Sequence, residues 1–335
     1  MGEPGPSTAK RLKLSYDSSS GYTVSDTINF SDLSFYLASL PQCIQFCQHF
    51  GLLPKSVNCV KCDNEFKEIS VIPNRSSQTD SKLIFRCYKK NCGSSVTPKK
   101  NTWFSQSHIS IKKSLFLTYC WVQKYSYEAS IKETSGPHFE NKITSTETVA
   151  DIFSYCREVC LESLFNKDSR KKIGGPNLTV EIDESKFGKR KYNKGRVVEG
   201  QWVLGGICRE TRDCFFVPVA ERNAETLINI ILEHVEVGSI IHTDEWRAYN
   251  SLSDHGFIHQ TVNHSQNFVN PDTGVHTNLI ESSWWSLKRA LGPTHTRKDQ
   301  FPQHFAEFIW RRQHKDERDL YIAFLNEIVK IYPGI

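Results

Sequence analysis

Apolar residues recur along this chain at two periods, and the change between them falls near its middle. Over residues 31–53, Leu33, Leu37, Leu40, Ile44, Cys47 and Phe50 fall near one face of a helix, with Ser31 as its N-cap. The spacing returns over 111–165. There Leu115, Tyr119, Val122 and Tyr125, then 129–133, then Thr148, Ile152, Tyr155, Val159 and Leu161 mark three helical segments, the last two parted by Gly136 and Pro137. A charged stretch with Gly and Pro at 167–177 sets the main domain boundary. Beyond it the apolar runs shorten and become β-branched. LTVEID, QWVLGGIC and CFFVPV read as strands, followed by an amphipathic helix over 224–235 and a fourth strand, SIIHTD. In 275–291, Ile280, Trp284, Leu287 and Leu291 form a helical stripe, and 300–313 and 317–331 read as covering helices. Three strands, a helix, a strand and further helices predict an α/β domain: a mixed sheet, covered on both faces, with its first and fourth strands side by side.

Composition narrows the class without naming it. The 335 residues suffice for about two or three domains. A net charge of +5 is too modest to indicate nucleic acid by itself. No apolar run approaches the roughly 20 residues that span a bilayer, so no membrane partner is expected. Residues 1–26 are rich in Ser, Gly, Pro and Thr, predict disorder, and do not read as a secretory signal. Lys10, Arg11 and Lys13 within them read either as a short nuclear-import signal or as a solvated basic tail. Eleven cysteines, an odd number with two short-spaced pairs, favour reduced thiols and a metal site over a disulfide framework.

Those pairs are Cys59/Cys62 and Cys87/Cys92, with a strand-like stretch at 82–86 between them. They read as a zinc ribbon, four thiolates filling the tetrahedron of one structural Zn²⁺. Cys43 and Cys47, by contrast, read as small buried apolar residues. A second set of chemistry-bearing residues lies downstream. Asp183 and Asp244 each close a strand-like run, and Glu281 borders the apolar stripe of 275–291. Two strand-end aspartates and a helix glutamate can hold two hard divalent cations, which suits phosphodiester chemistry. Glu181, Glu184 and Glu245 are neighbouring acids, and Glu181 would share Asp183's face as a supporting group. Directly after Asp183, Lys186, Lys189, Arg190, Lys191, Lys194 and Arg196 crowd one loop, where they would repel one another unless an anion such as a DNA backbone lay nearby. Trp284 fits the core. Its neighbour Trp285 then faces outward, able to stack on a displaced base, and Lys288 and Arg289 are phosphate contacts or an exposed helix face.

VEIDESKFGKRKYNKGR, IIHTDEWRAY and HTNLIESSWWSLKR resemble the three catalytic blocks of the Merlin superfamily of cut-and-paste DNA transposases, eukaryotic relatives of a group of bacterial insertion-sequence transposases. The 36 residues between Asp244 and Glu281 are similar to that family's aspartate–glutamate spacing. The resemblance implies an RNase H-like catalytic domain at 171–335 in which Asp183, Asp244 and Glu281 bind two Mg²⁺ or Mn²⁺ ions. The domains then run as an N-terminal helix at 27–56, read from its periodicity, a zinc ribbon at 57–106, read from its cysteine pairs, and a helix-turn-helix-like DNA-binding region at 107–170, which the resemblance favours. His276 and Asn278 belong to its HTN-x-x-E pattern, where they contact the scissile phosphate or orient the glutamate; Thr277 or Asn278 reads equally as a helix N-cap. The expected activity is hydrolysis at the terminal inverted repeats of an element and strand transfer into target DNA, by at least a dimer, in the nucleus. A transposase-derived DNA-binding host protein and a stand-alone RNase H-like nuclease are the alternatives.

Overall fold

The computed structural model describes residues 12–15, 23–72, 82–139, 141–165, 172–188, 200–263, 269–271, 273–291 and 298–333. Lys10, Arg11, Lys189, Arg190, Lys191, Lys194 and Arg196 lie outside the described residues. In chain order the elements begin with β1 (Leu12–Ser15), α1 (Phe30–Tyr36), α2 (Leu40–Phe50), β2 (Val57–Asn58), β3 (Glu65–Phe66), β4 (Glu68–Ile72), β5 (Lys82–Arg86) and β6 (Ser95–Val96). They continue with α3 (Ile111–Val122), α4 (Tyr127–Glu133), α5 (Thr146–Phe165), β7 (Ile173–Gly174), β8 (Thr179–Phe187), β9 (Gln201–Cys208) and β10 (Cys214–Val219). The rest are α6 (Ala224–His234), β11 (Val235–Glu236), β12 (Ile240–Asp244), β13 (Ile258–Val262), α7 (Asn278–Leu291), α8 (Phe301–Gln313) and α9 (Leu320–Ile331). They divide between two units, Met1–Val159 with Asp316–Ile335, and Cys160–Lys315. Among the described residues no helix is long and apolar enough to cross a membrane.

In the first unit, the helix expected over 31–53 is two helices. Pro41 explains the break: a proline inside a helix lacks the N–H of the i→i−4 bond and clashes with the preceding turn, whereas at a helix start it is tolerated. Ser39 accordingly caps α2, its hydroxyl accepting from the Gln42 N–H. α1 starts earlier than expected, from a capping box in which the Asn29 side chain accepts from the Asp32 N–H and the Asp32 carboxylate accepts from the Asn29 N–H. Gly51, at φ 79°, closes α2 in the left-handed conformation that glycine adopts without strain. α9, expected to cover the second unit's sheet, instead packs with α2 and α3, bringing Tyr321 against Tyr119 and Phe324 against Trp121. Cys43 and Cys47 are buried, and burial pushes the Cys43 thiol up to about 12, as suits small core residues. A four-stranded sheet runs β1-β4-β5-β6. β1 lies in the stretch whose composition predicts disorder; its short apolar–polar alternation pairs it antiparallel with the edge of β4.

In the second unit the sheet order is β10-β9-β8-β12-β13, with β8, β9 and β10 antiparallel and β12 parallel to both β8 and β13. The first and fourth expected strands, β8 and β12, are neighbours. Period-two alternation then sorts the side chains between two faces. Val180, Ile182, Leu204 and Phe215 pack with Leu227, Ile228 and Ile231 of α6 and with Tyr249. Phe187, Val203, Ile207 and Phe216 pack with Ile280, Trp284 and Leu287 of α7 and with Phe301, Phe305 and Ile309 of α8. Each of these larger side chains contributes about 1.5–3 kcal/mol by leaving water. The odd-numbered residues of β8, Glu181, Asp183 and Ser185, thereby face α7.

Candidate active site and cysteine cluster

Asp183 stands in the middle of β8, paired across the sheet with Gly205 of β9. On the other side of β8, the parallel register runs Ile240↔Thr179, Ile241↔Val180 and His242↔Glu181. Carried on by two residues, it sets Asp244, the last residue of β12, abreast of Asp183. α7 supplies the third acid, with Glu281 exposed in its first turn. Each carboxylate has a holder. The Trp284 indole Nε1 donates to Asp183 Oδ2 at 3.0 Å, the Trp246 N–H to Asp244 Oδ1 at 3.1 Å, and the Thr277 hydroxyl to Glu281 Oε1 at 3.3 Å. Burial pushes the Asp183 carboxyl up to about 6 against the bonds from Glu184 N–H and Trp284, and the charges of Asp244 and Glu281 push the same way. Three oxygen-donor side chains whose charges oppose one another fit a site for hard divalent cations, which would neutralise that repulsion.

The Trp284 contact depends on a close approach. A Cβ on Gly205 would lie 2.5 Å from the Trp284 ring, and on Gly206 it would lie 2.3 Å from the Phe215 ring. We expect Gly205→Ala to push the indole off Asp183 and to destabilise the second unit by about 1–3 kcal/mol. Thermal unfolding together with the Trp284 indole N–H shift in NMR would check this, and an unmoved indole resonance would refute it.

Glu181 is the acid that sequence alone undervalues. Its side chain is fully buried, and Oε2 accepts the backbone N–H groups of Leu279 (2.8 Å) and Ile280 (2.9 Å) at the start of α7. Helices leave their first N–H groups unpaired, and a carboxylate there also suits the positive end of the helix dipole. Oε1 accepts from Arg209 Nε at 2.6 Å, and the same guanidinium donates to the His276 carbonyl (2.6 Å) and reaches His276 Nδ1 (2.9 Å). A guanidinium can only donate, so Nδ1 accepts and the ring proton sits on Nε2. Glu181 therefore ties α7, and with it Glu281, to the strand that carries Asp183.

The other expected residues fall into two groups. His276 is engaged by Arg209 and lies 3.5 Å from Glu181, so it belongs to the tie rather than to the three acids. Asn278 is exposed as the first residue of α7, and the Thr277 carbonyl accepts from the Glu281 N–H. Lys288 Nζ donates to Ser185 Oγ at 2.6 Å, on Asp183's face of β8. Trp285 is 63% exposed with Arg289 5.2 Å from its ring, and Lys186 lies 5.6 Å from the Trp202 ring. Of the neighbouring acids, Glu184 points to the opposite face, accepting from the Tyr249 hydroxyl and 3.6 Å from Arg222. Burial pushes its carboxyl up to about 8, and the Asp183 and Asp244 charges add to this against the pull of Arg222. Arg222 is itself sandwiched between the rings of Trp202 (4.0 Å) and Trp246 (4.5 Å). Glu245 accepts from the Asn263 side chain at 2.6 Å.

In the first unit, the β2–β3 hairpin carries Cys59 and Cys62, while Cys87 and Cys92 lie between β5 and β6. Among the described residues these four form the group whose ligand atoms all lie within 4.8 Å of one another; the three acids are not gathered so closely. Cys59 Sγ lies 3.5 Å from Cys92 Sγ, and Cys62 Sγ 3.6 Å from Cys87 Sγ, near the separation that a tetrahedron of roughly 2.3 Å Zn–S bonds requires. Burial raises Cys59, yet N–H groups of Lys61 and Cys62 and the neighbouring thiols outweigh it and bring the thiol down to about 6. Cys87 is pushed up to about 12, by burial first and then by the other three. Four thiols that cannot all ionise together without a cation fit zinc. Chelation, or Cys59→Ser, should therefore lower the melting temperature of the first unit and release one zinc per chain, measured by calorimetry and metal analysis. An unchanged melting curve after chelation would count against it.

Residues 173–313 match the model of the ISXO2-like transposase domain. An uncharacterised transposase-like protein of Haemophilus influenzae is 31% identical over 117 residues, a stretch that covers 35% of this chain and 93% of that protein. Among solved structures, the HTLV-2 integrase catalytic core domain in complex with magnesium covers 41% of this chain and 86% of its own, at 14% identity and a TM-score of 0.28. The simian T-cell lymphotropic virus intasome in complex with the PP2A regulatory subunit B56 gamma covers 59% and 68%, at 14% identity and a TM-score of 0.29.

Proposed function

This chain belongs to the ISXO2-like transposase family, and we propose that it is a cut-and-paste DNA transposase whose strand-breaking and strand-joining centre is Asp183, Asp244 and Glu281. The observation that supports this reading is the parallel register of β12 on β8, which carried on by two residues brings Asp244 level with Asp183, together with the bond from Trp284 on Glu281's helix to Asp183. The sheet order supports an RNase H-like catalytic domain, and the three motif blocks support membership of the Merlin superfamily. When bound, two Mg²⁺ or Mn²⁺ ions would lower the pKa of an attacking water or DNA 3′-OH and take up charge on the leaving oxygen. The chain's own residues do the rest. β8 and β12 hold the two aspartates rigidly, Glu181 fixes α7 so that Glu281 faces them, and Lys288, beside Ser185, offers a charge to the phosphate.

The cysteine cluster, as a zinc ribbon, and the helices after it would recognise the element's terminal inverted repeats. α3 is buried along almost its whole length and cannot read DNA, so in a helix-turn-helix reading the four-residue turn at 123–126 presents α4. Acting on two ends together requires at least a dimer, and the proposed site of action is the nucleus. The test is a duplex carrying the element's end, incubated with the full chain and Mg²⁺ or Mn²⁺. Cleavage followed by joining to a second duplex is expected. Cleavage without joining would favour the nuclease, and specific binding without cleavage the DNA-binding host protein.

A further inference from the structure

One flank of α7 takes no part in the acid site and has a different chemistry. A cleft of about 380 Å³ lies there, and three cations line it: Arg212 from the β9–β10 turn, and Arg312 and Lys315 from the end of α8 and just beyond. α7 contributes Ser282, Ser283 and Ser286. The described residues that line the cleft include no carboxylate and no aromatic ring. The two arginines are held together by the backbone. The turn is closed by the Arg212 N–H donating to the Cys208 carbonyl and the Cys208 N–H to the Asp213 carbonyl, which puts Arg212 in the left-handed region at φ 67°. Arg312 Nε then donates to the Arg212 carbonyl at 3.0 Å. This bond commits one donor of Arg312 and holds its guanidinium against the turn that carries Arg212, so that the two cations line one cleft, which suits an anion. The serines keep the helix surface low, so that a bulky group can approach. Ser282 and Ser283 give their hydroxyl protons to the Leu279 carbonyl, and Ser286 lies one turn further along the same face.

We propose that this cleft is a phosphodiester-binding site that holds a DNA backbone on the flank of α7 next to the one bearing Glu281. Without an aromatic platform or a carboxylate, the cleft has charge to offer but nothing with which to read a base. Its contacts are therefore indifferent to sequence and sensitive to salt. Ser282 and Ser286 stand one and five positions after Glu281, about 100° and 140° around the helix, so a strand crossing the acids continues onto the cleft. The proposal rests on the DNA-processing reading above.

The test measures binding of the full, zinc-loaded chain to a labelled duplex of about 30 base pairs by fluorescence anisotropy across roughly 50–300 mM KCl, for two unrelated sequences. Arg212→Ala with Lys315→Ala should flatten the slope of log affinity against log salt by about 1.8, about 0.9 for each lost phosphate contact, equally for both sequences. Arg312 is left in place because it anchors the turn. Arg212→Lys with Lys315→Arg, which keeps both charges, should behave as wild type. An unchanged slope in the alanine variant overturns the proposal, as does a wild type that binds neither duplex. Cleavage assays on the same protein separate the two readings. Cleavage with an unaffected salt slope removes the cleft and leaves the catalytic centre, whereas a cleft-dependent slope with no cleavage removes the catalytic centre and leaves the cleft.

Discussion

Asp244→Asn and Glu281→Gln each lower metal-dependent cleavage by at least about a thousandfold, the loss expected when a metal ligand worth several kcal/mol of charge stabilisation is removed. The fold should not suffer with the activity. Asp183 is pushed up to about 6 by burial and by the charges of Asp244 and Glu281, so removing one of those charges relieves a repulsion. Asparagine at 244 also keeps an oxygen for the Trp246 N–H, and glutamine at 281 keeps one for the Thr277 hydroxyl. The melting temperatures of both variants should therefore equal or exceed that of wild type. Single-turnover cleavage and thermal melts on the same preparations read the two effects separately. Activity within tenfold of wild type in either variant would take that residue out of the site.

Glu181→Ala has the opposite profile, a loss of stability that drags activity down with it. The substitution leaves the Arg209 guanidinium without its carboxylate and orphans the N–H groups of Leu279 and Ile280 at the start of α7. Removing one partner of such a buried pair costs about 3–5 kcal/mol. Glu181→Gln is milder, at about 1–2 kcal/mol, because an amide oxygen can still accept from α7. Hydrogen exchange at the Leu279 and Ile280 amides should quicken in the alanine variant before any global unfolding. A melting curve for Glu181→Ala within about 1 kcal/mol of wild type would show that α7 is held by its packing alone.

Much of the second unit was legible because its elements follow from local pattern. LTVEID, QWVLGGIC and CFFVPV are short apolar, largely β-branched or aromatic runs, as strands covered on both faces must be, and Ile280, Trp284 and Leu287 form one helical stripe, so these elements could be read directly. β13 escaped notice because IHQTV is an edge strand, exposed or half-buried except at Val262, with polar residues where a buried strand would carry apolar ones. The break between α1 and α2 hid behind an uninterrupted apolar period, although Pro41 marked it. That α9 joins the first unit is a tertiary choice which its apolar stripe cannot express, since any apolar face would accept that stripe. The site divides in the same way. Asp183, Asp244 and Glu281 announce themselves by motif, although Asp183, which closes the apolar run, stands within β8 and not at its end. Glu181, Arg209 and Trp284 act through bonds to residues far away in sequence, such as that of Trp284 to Asp183. Alternation did place Glu181 on Asp183's face, but only the register of α7 against β8 reveals what it holds.

On this reading Asp183, Asp244 and Glu281 jointly hold the divalent cations used for strand chemistry. Mn²⁺ titration followed by electron paramagnetic resonance, on zinc-loaded full-length protein with a bound duplex, tests it without relying on turnover. Two Mn²⁺ should bind per chain in wild type, and at least one should be lost in Asp183→Asn, in Asp244→Asn and in Glu281→Gln. Mn²⁺ binding of the same stoichiometry and affinity in all three variants would contradict it.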